Sequence, residues 1–227
     1  RHGILKGETI SSRLSNYCKR LMRLFVFWFF FYSFIFPPDG TKHMQLNPWE
    51  IFYLNMQNTI DHPFVTLMTG SAINLWFFPA VITGVMIVSV FHKLKIEKLL
   101  IPFGFILYIL VLLSQSYSVF PWGYQVDFEM RNGPFVSTLF VSFGWFLAGK
   151  NQFRLRTAIT LIVAGFLMEY AEIFYFFTQH NIKPPHQYLL GYIFVNLGVF
   201  WLMLARPNIG KGTVFPKWGK LTLGVYC

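Results

Sequence analysis

Six stretches of this chain are each close to the length that crosses a membrane, and this repetition restricts the fold more than any other feature. A crossing helix needs about 20 mostly apolar residues, within a range of about 17–25. The stretches are 21–36, 71–91, 99–118, 133–149, 157–177 and 187–205. A seventh begins at Leu221 and runs to the last residue, Cys227. The first is short and dense in Phe, with Arg23 near its start and able to snorkel toward water. The runs lack sustained alternation and are too long for membrane strands. The expectation is an all-α, polytopic transmembrane helix bundle of six full spans plus a truncated seventh, forming a single integral-membrane domain over 1–227.

The connecting segments supply an independent check, because cytoplasmic loops carry an excess of Lys and Arg. The leading segment holds Arg1, Lys6, Arg13, Lys19, Arg20 and Arg23, whereas the next loop has only Lys42. Lys93, Lys95 and Lys98 follow, then Arg131 alone, then Lys150, Arg154 and Arg156, then Lys183 alone, and finally Arg206, Lys211, Lys217 and Lys220. Basic residues therefore collect in alternate loops, which places the N-terminal segment and the last loop in the cytoplasm. The net charge of +10 thus reads as an orientation signal. A nucleic-acid binder would display such charge on a polar face. Here only 12% of residues are charged and 55% are hydrophobic, so no such face is available and no nucleic-acid partner is expected. Two cysteines, Cys18 and Cys227, exclude a disulfide-stapled secreted domain. The lipid bilayer is the expected surrounding. In the first outer loop, Asn47-Pro48-Trp49-Glu50 carries a capping residue, Pro at the first helical position and Glu at the third. A short interfacial helix over 48–58 is predicted there.

Few residues could carry chemistry. Glu169 and Glu172 stand in the outer half of one span, three residues apart and so nearly on one helix face. Carboxylates at membrane depth are costly unless they face a cavity or a partner. They are functional candidates; the alternative is a structural hydrogen bond to a neighbouring helix. Arg20 and Arg23 share a helix face at the inner mouth of the first span and could clamp a phosphate-bearing ligand; anchoring to anionic lipid is the other reading. Asn74 and Trp76 open the second span at its outer end, where Trp commonly belongs to an aromatic belt. Arg131 is the one basic residue of its loop and could bind an anionic group or pair with Asp127 or Glu129. None of the six histidines has zinc-like spacing, so no metal and no bound cofactor are expected.

Taken in order, these segments resemble a known family. Lys19-Arg20-Leu21-Met22-Arg23 before a Phe/Trp-rich span, Asn74-Leu75-Trp76-Phe77-Phe78-Pro79-Ala80, and Arg131-Asn132-Gly133-Pro134-Phe135 leading to Phe143-Gly144-Trp145 are similar to the membrane acyltransferase family 3, which includes surface-polysaccharide O-acyltransferases. Gly219-Lys220-Leu221-Thr222-Leu223-Gly224-Val225-Tyr226 resembles that family's last helix. The resemblance implies an integral-membrane enzyme of a bacterial inner membrane. It would move an acyl group, in the first instance acetyl, from cytoplasmic acyl-CoA to a hydroxyl of a glycan or lipid-linked sugar. It implies donor binding at Arg20 and Arg23, and an acceptor side at Asn74, Trp76 and Arg131. Glu169 and Glu172 would support catalysis by orienting the acceptor or the base. Two departures stand out. Many members carry His where this chain has Asn74. The His implied as general base belongs to a first helix, with two helices normally preceding the Arg-x-x-Arg loop; here 19 residues precede Arg20 and no His matches. Two other readings stay open: a transporter or flippase using the Glu pair, and a non-catalytic relative acting as a membrane partner or sensor.

Overall fold

The computed structural model describes residues 10–38, 47–126, 130, 132–148, 150, 152–180 and 188–208, and every regular element among them is helical. These are α1 (Ile10–Ser33), α2 (Pro48–Asp61), α3 (Pro63–Thr69), α4 (Phe77–Lys93), α5 (Leu100–Ser114), α6 (Pro134–Ala148), α7 (Leu155–His180) and α8 (Gly191–Ala205). Short 3-10 turns, Ile73–Trp76 and Glu97–Leu99, lead into α4 and α5.

Each of the six expected stretches contains a helix, but the helices differ in length from the stretches. Two helical segments, Glu97–Ser114 and Leu155–His180, are long and apolar enough to cross a membrane. Helices α4, α6 and α8 have 17, 15 and 15 residues, short of the usual crossing length of about 20. The second stretch is shortened because 71–76 form a bend and a tight 3-10 turn. The first is lengthened: α1 begins at Ile10, well before the apolar edge at Leu21, since nothing in 10–20 breaks a helix. The stretch from Leu221 lies outside the described residues.

The chain divides into two compact units. The first contains α1 to α4, the part of α5 up to Leu107 and the part of α6 up to Ser142. Its core forms where one face of α1 meets α4. Leu21 and Phe25 are buried against Leu75, Phe78 and Ile82, with Cys18, Trp28 and Tyr32 packed around them. The Phe25 and Phe78 rings lie 6.4 Å apart between centroids. At its C-terminal end, α1 is closed by α2. Asn55 is buried, and its side-chain amide donates to the carbonyls of Ser33 (3.0 Å) and Phe36 (2.7 Å) and to Ile51 O in its own helix. The last carbonyls of a helix lack intrahelical donors, so an amide delivered from another helix satisfies groups the bilayer could not. Helix α2 starts as its sequence predicts: Asn47 Oδ1 accepts from Glu50 N at 3.0 Å, and Glu50 accepts from Asn47 N at 3.0 Å. It ends at Asp61, and Pro63 at once starts α3.

The second unit contains the later parts of α5 and α6 with α7 and α8. Small residues set its geometry. A Cβ added at Gly165 would lie 2.7 Å from Val195 N, and one at Gly191 would lie 2.7 Å from Glu169 N. Gly198 meets Ile162 in the same way, and Ala158 is fully buried. The backbones of α7 and α8 therefore touch along a seam of residues seven apart, the close approach that small residues permit between helices in lipid. The far side of α7, including Leu167, Tyr170 and Phe174, is exposed, as a lipid-facing surface would be.

Candidate functional site

Arg20 and Arg23, to which the resemblance assigns the donor, are presented by α1. Leu21 and Phe25 turn toward α4, so Arg20 and Arg23, three residues apart, fall on the opposite side, and both are exposed. Lys19 flanks them and is also exposed. Helix α1 contains no Asp or Glu, so no carboxylate on its own helix neutralises the pair.

Asn74 and Trp76 lie in the 3-10 turn that opens α4. Between them Leu75 is fully buried against α1, and this anchors the turn. Trp76 is half-buried, with its ring edge-on to Phe77 at 6.4 Å. The side chain of Asn74 lies outside the described residues. Because Phe78 packs on Phe25 and Ser71 Oγ donates to Phe29 O at 2.7 Å, the turn stands within about two helical turns of Arg23 along α1. Gly70, at φ +82°, ends α3 directly against Leu75.

Arg131 lies outside the described residues. Its neighbours are placed: Asn132 is 6% exposed and donates from Nδ2 to Thr69 Oγ1 at 3.1 Å. Gly133 adopts φ +79°, and a Cβ there would lie 2.9 Å from Met68 Sδ. The backbone conformation therefore favours glycine here, and any added side chain would also have to displace the end of Met68. Among the described residues, Asn132 Oδ1 is buried without a hydrogen-bond partner. The first unit thus gathers Arg20, Arg23, the Asn74–Trp76 turn and the Asn132-Gly133 turn.

The glutamates belong to the second unit. Glu172 Oε1 accepts from Leu190 N at 3.0 Å, and Oε2 accepts from Gly191 N at 3.0 Å. The Tyr117 hydroxyl also donates to Oε1. Helix α8 has no capping side chain of its own at Leu190. A carboxylate from α7 takes that place, where the helix dipole favours negative charge. Glu169 lies one turn earlier on the same face, and among the described residues its Oε1 is buried without a hydrogen-bond partner. Nearby, the fully buried Tyr108 donates from its hydroxyl to Leu189 O at 2.8 Å, fixing the segment that enters α8. Tyr117 and Asn132 were not singled out by sequence reasoning. Only the Asn-Gly pair before a helix offered a signal, as a turn.

The family model described as an acyltransferase domain matches residues 8–227. The chain belongs to acyltransferase family 3. No curated protein and no solved structure matches it. Membership makes it an acyltransferase-family protein associated with membranes, which agrees with its two crossing-length apolar segments. In this acyltransferase-family chain, the helix with the arginine pair and the turn with Trp76 form one packed unit, and the Glu pair sits at the α7–α8 junction of the other.

Proposed function

We propose that the chain is a multi-pass O-acyltransferase of a bacterial inner membrane, its N-terminal segment in the cytoplasm and six of its helices crossing. It takes acetyl from cytoplasmic acyl-CoA and delivers it to a hydroxyl of a surface glycan or lipid-linked sugar. The observation that carries this reading is the exposed pair Arg20 and Arg23, held on the far side of α1 from its packed face within the most basic segment of the chain. Paired guanidiniums suit a pyrophosphate, which coenzyme A offers. The acceptor oxygen attacks the thioester carbonyl carbon, the C–S bond breaks, and the thiolate of CoA leaves. The hydroxyl proton passes to a general base, for which the family resemblance implies a His. Trp76 offers a face on which a sugar stacks, and Arg131 an anion-binding group on the acceptor side. Both oxygens of Glu172 accept hydrogen bonds at the start of α8, so its part is to position. Glu169 has the oxygen with which to orient an acceptor or the base.

The test is transfer of labelled acetyl from acetyl-CoA to glycan by the intact protein in vesicles. Arg20→Ala and Arg23→Ala are each expected to lower kcat/KM for the donor by about 10–100-fold, mainly through KM, as loss of a charged hydrogen bond predicts. Unchanged kinetics in both variants would overturn the assignment.

A further inference from the structure

Helix α1 carries more than the arginine pair. Because it begins at Ile10, residues 13 and 16 belong to the same uninterrupted helix as 20 and 23. At 100° per residue, Arg13, Asn16, Arg20 and Arg23 fall within about 80° of one another, on the side away from Leu21 and Phe25. All four are exposed. Along the axis Arg20 and Arg23 are about 4.5 Å apart, and Arg13 stands about 10.5 Å before Arg20. Beyond Arg23 the same face continues as exposed Phe27 and Phe31, with Phe30 at its edge. One helix face thus reads, from the cytoplasmic end inward, as a cation, an amide, a cation pair and an aromatic strip.

That order matches the order of groups in acyl-CoA. Its 3′-phosphate and its pyrophosphate lie on either side of one ribose, and the pantetheine arm with its thioester extends from the pyrophosphate. We infer that Arg13 is a third phosphate-binding arginine, taking the 3′-phosphate of the acyl-CoA whose pyrophosphate meets Arg20 and Arg23. The inference rests on the acyl-CoA reading above and deepens it. Arginine side chains are long enough to converge across the axial gap, and Asn16 stands between them to bond the ribose or either phosphate. The aromatic strip then directs the thioester toward the membrane interior. An anionic lipid headgroup shares the phosphate chemistry, but it needs no second phosphate at a fixed distance from the first.

The experiment compares acetyl-CoA with acetyl-3′-dephospho-CoA as donors for the intact protein, in vesicles of zwitterionic lipid and in vesicles containing anionic lipid. The unsubstituted protein is expected to prefer acetyl-CoA by about 10–100-fold in kcat/KM, expressed in KM. Arg13→Gln is expected to remove most of that preference, and Arg13→Lys to restore part of it. A preference that survives Arg13→Gln, or an unsubstituted protein that uses both donors equally, overturns the inference and leaves the acyl-CoA reading standing. An Arg13→Gln defect that follows anionic lipid content and ignores the donor's phosphate assigns Arg13 to lipid and also overturns it. If neither donor is turned over, the acyl-CoA reading fails, and equilibrium binding of CoA and 3′-dephospho-CoA decides the stripe: equal affinities overturn it.

Discussion

Single residues that tie one helix to the end of another hold much of this molecule together. Asn55 is the donor for carbonyls at the end of α1. Asn55→Ala leaves them unbonded and is expected to cost about 1–3 kcal/mol. Asn55→Asp is expected to cost more, because a carboxylate then faces carbonyls at the negative end of the helix dipole. Thermal unfolding in detergent would rank the two, and the reverse order would remove the capping role. Glu172 performs the opposite task at the start of α8. Glu172→Gln turns an amide N–H₂ toward backbone donors and is expected to destabilise by about 1–2 kcal/mol. Combined with Tyr117→Phe, it should show a coupling energy of at least about 0.5 kcal/mol, since the two side chains share one bond. Additive effects would argue that the hydroxyl bonds elsewhere. The sequence made the Glu pair visible through its spacing and its cost in lipid. It did not show which carboxylate is engaged, because these donors are backbone N–H groups 18 and 19 residues further on, which no side chain announces. Asn55 was equally silent, being one polar residue in a short amphipathic helix.

At the scale of elements, the contrast is between helices that begin where the sequence says and helices that do not. Helix α2 starts at Pro48 behind a capping box that the sequence spells out. Helix α1 starts well before its hydrophobic edge, and this earlier start is what puts Arg13 in register with Arg20. Apolar pattern marks where lipid begins, whereas helices continue until something stops them. The seam between α7 and α8 gives a sharp comparison. Gly191→Ala brings a methyl group into the Glu169 backbone and is expected to cost about 1–3 kcal/mol. Gly144→Ala, where a Cβ meets nothing within 4 Å, should be neutral or stabilising by up to about 1 kcal/mol. Melting temperatures of the two variants test this, and equal losses would refute the seam. Lys95 closes α4 at φ +59°, where its N–H bonds His92 O and the next N–H bonds Phe91 O. Gly is the usual occupant of such a cap, so Lys95→Gly is expected to raise stability by about 0.5–1 kcal/mol.

For the whole molecule, the alternation of basic and non-basic loops predicts which segments face the cytoplasm. In a Cys18→Ser, Cys227→Ser background, a cysteine at Lys95 should react with an impermeant maleimide only from the cytoplasmic side, and one at Gln57 only from the other. Labelling of both from one side would overturn the orientation. The helical fold and the presence of a helix in each of the six apolar stretches were legible because lipid admits so few backbone solutions. Helix lengths were less legible. The 3-10 turn before α4 depends on Leu75 packing into α1, a tertiary contact that hydropathy does not encode.

Between Ile10 and Ser33, α1 has neither Gly nor Pro, and its 24 residues make a rod about 36 Å long. One end presents exposed cations, and the other is gripped by Asn55. With no joint to absorb it, a rotation or slide imposed at the cationic end is carried along the rod to α2. The α2 end of the rod is therefore mechanically coupled to its cationic end.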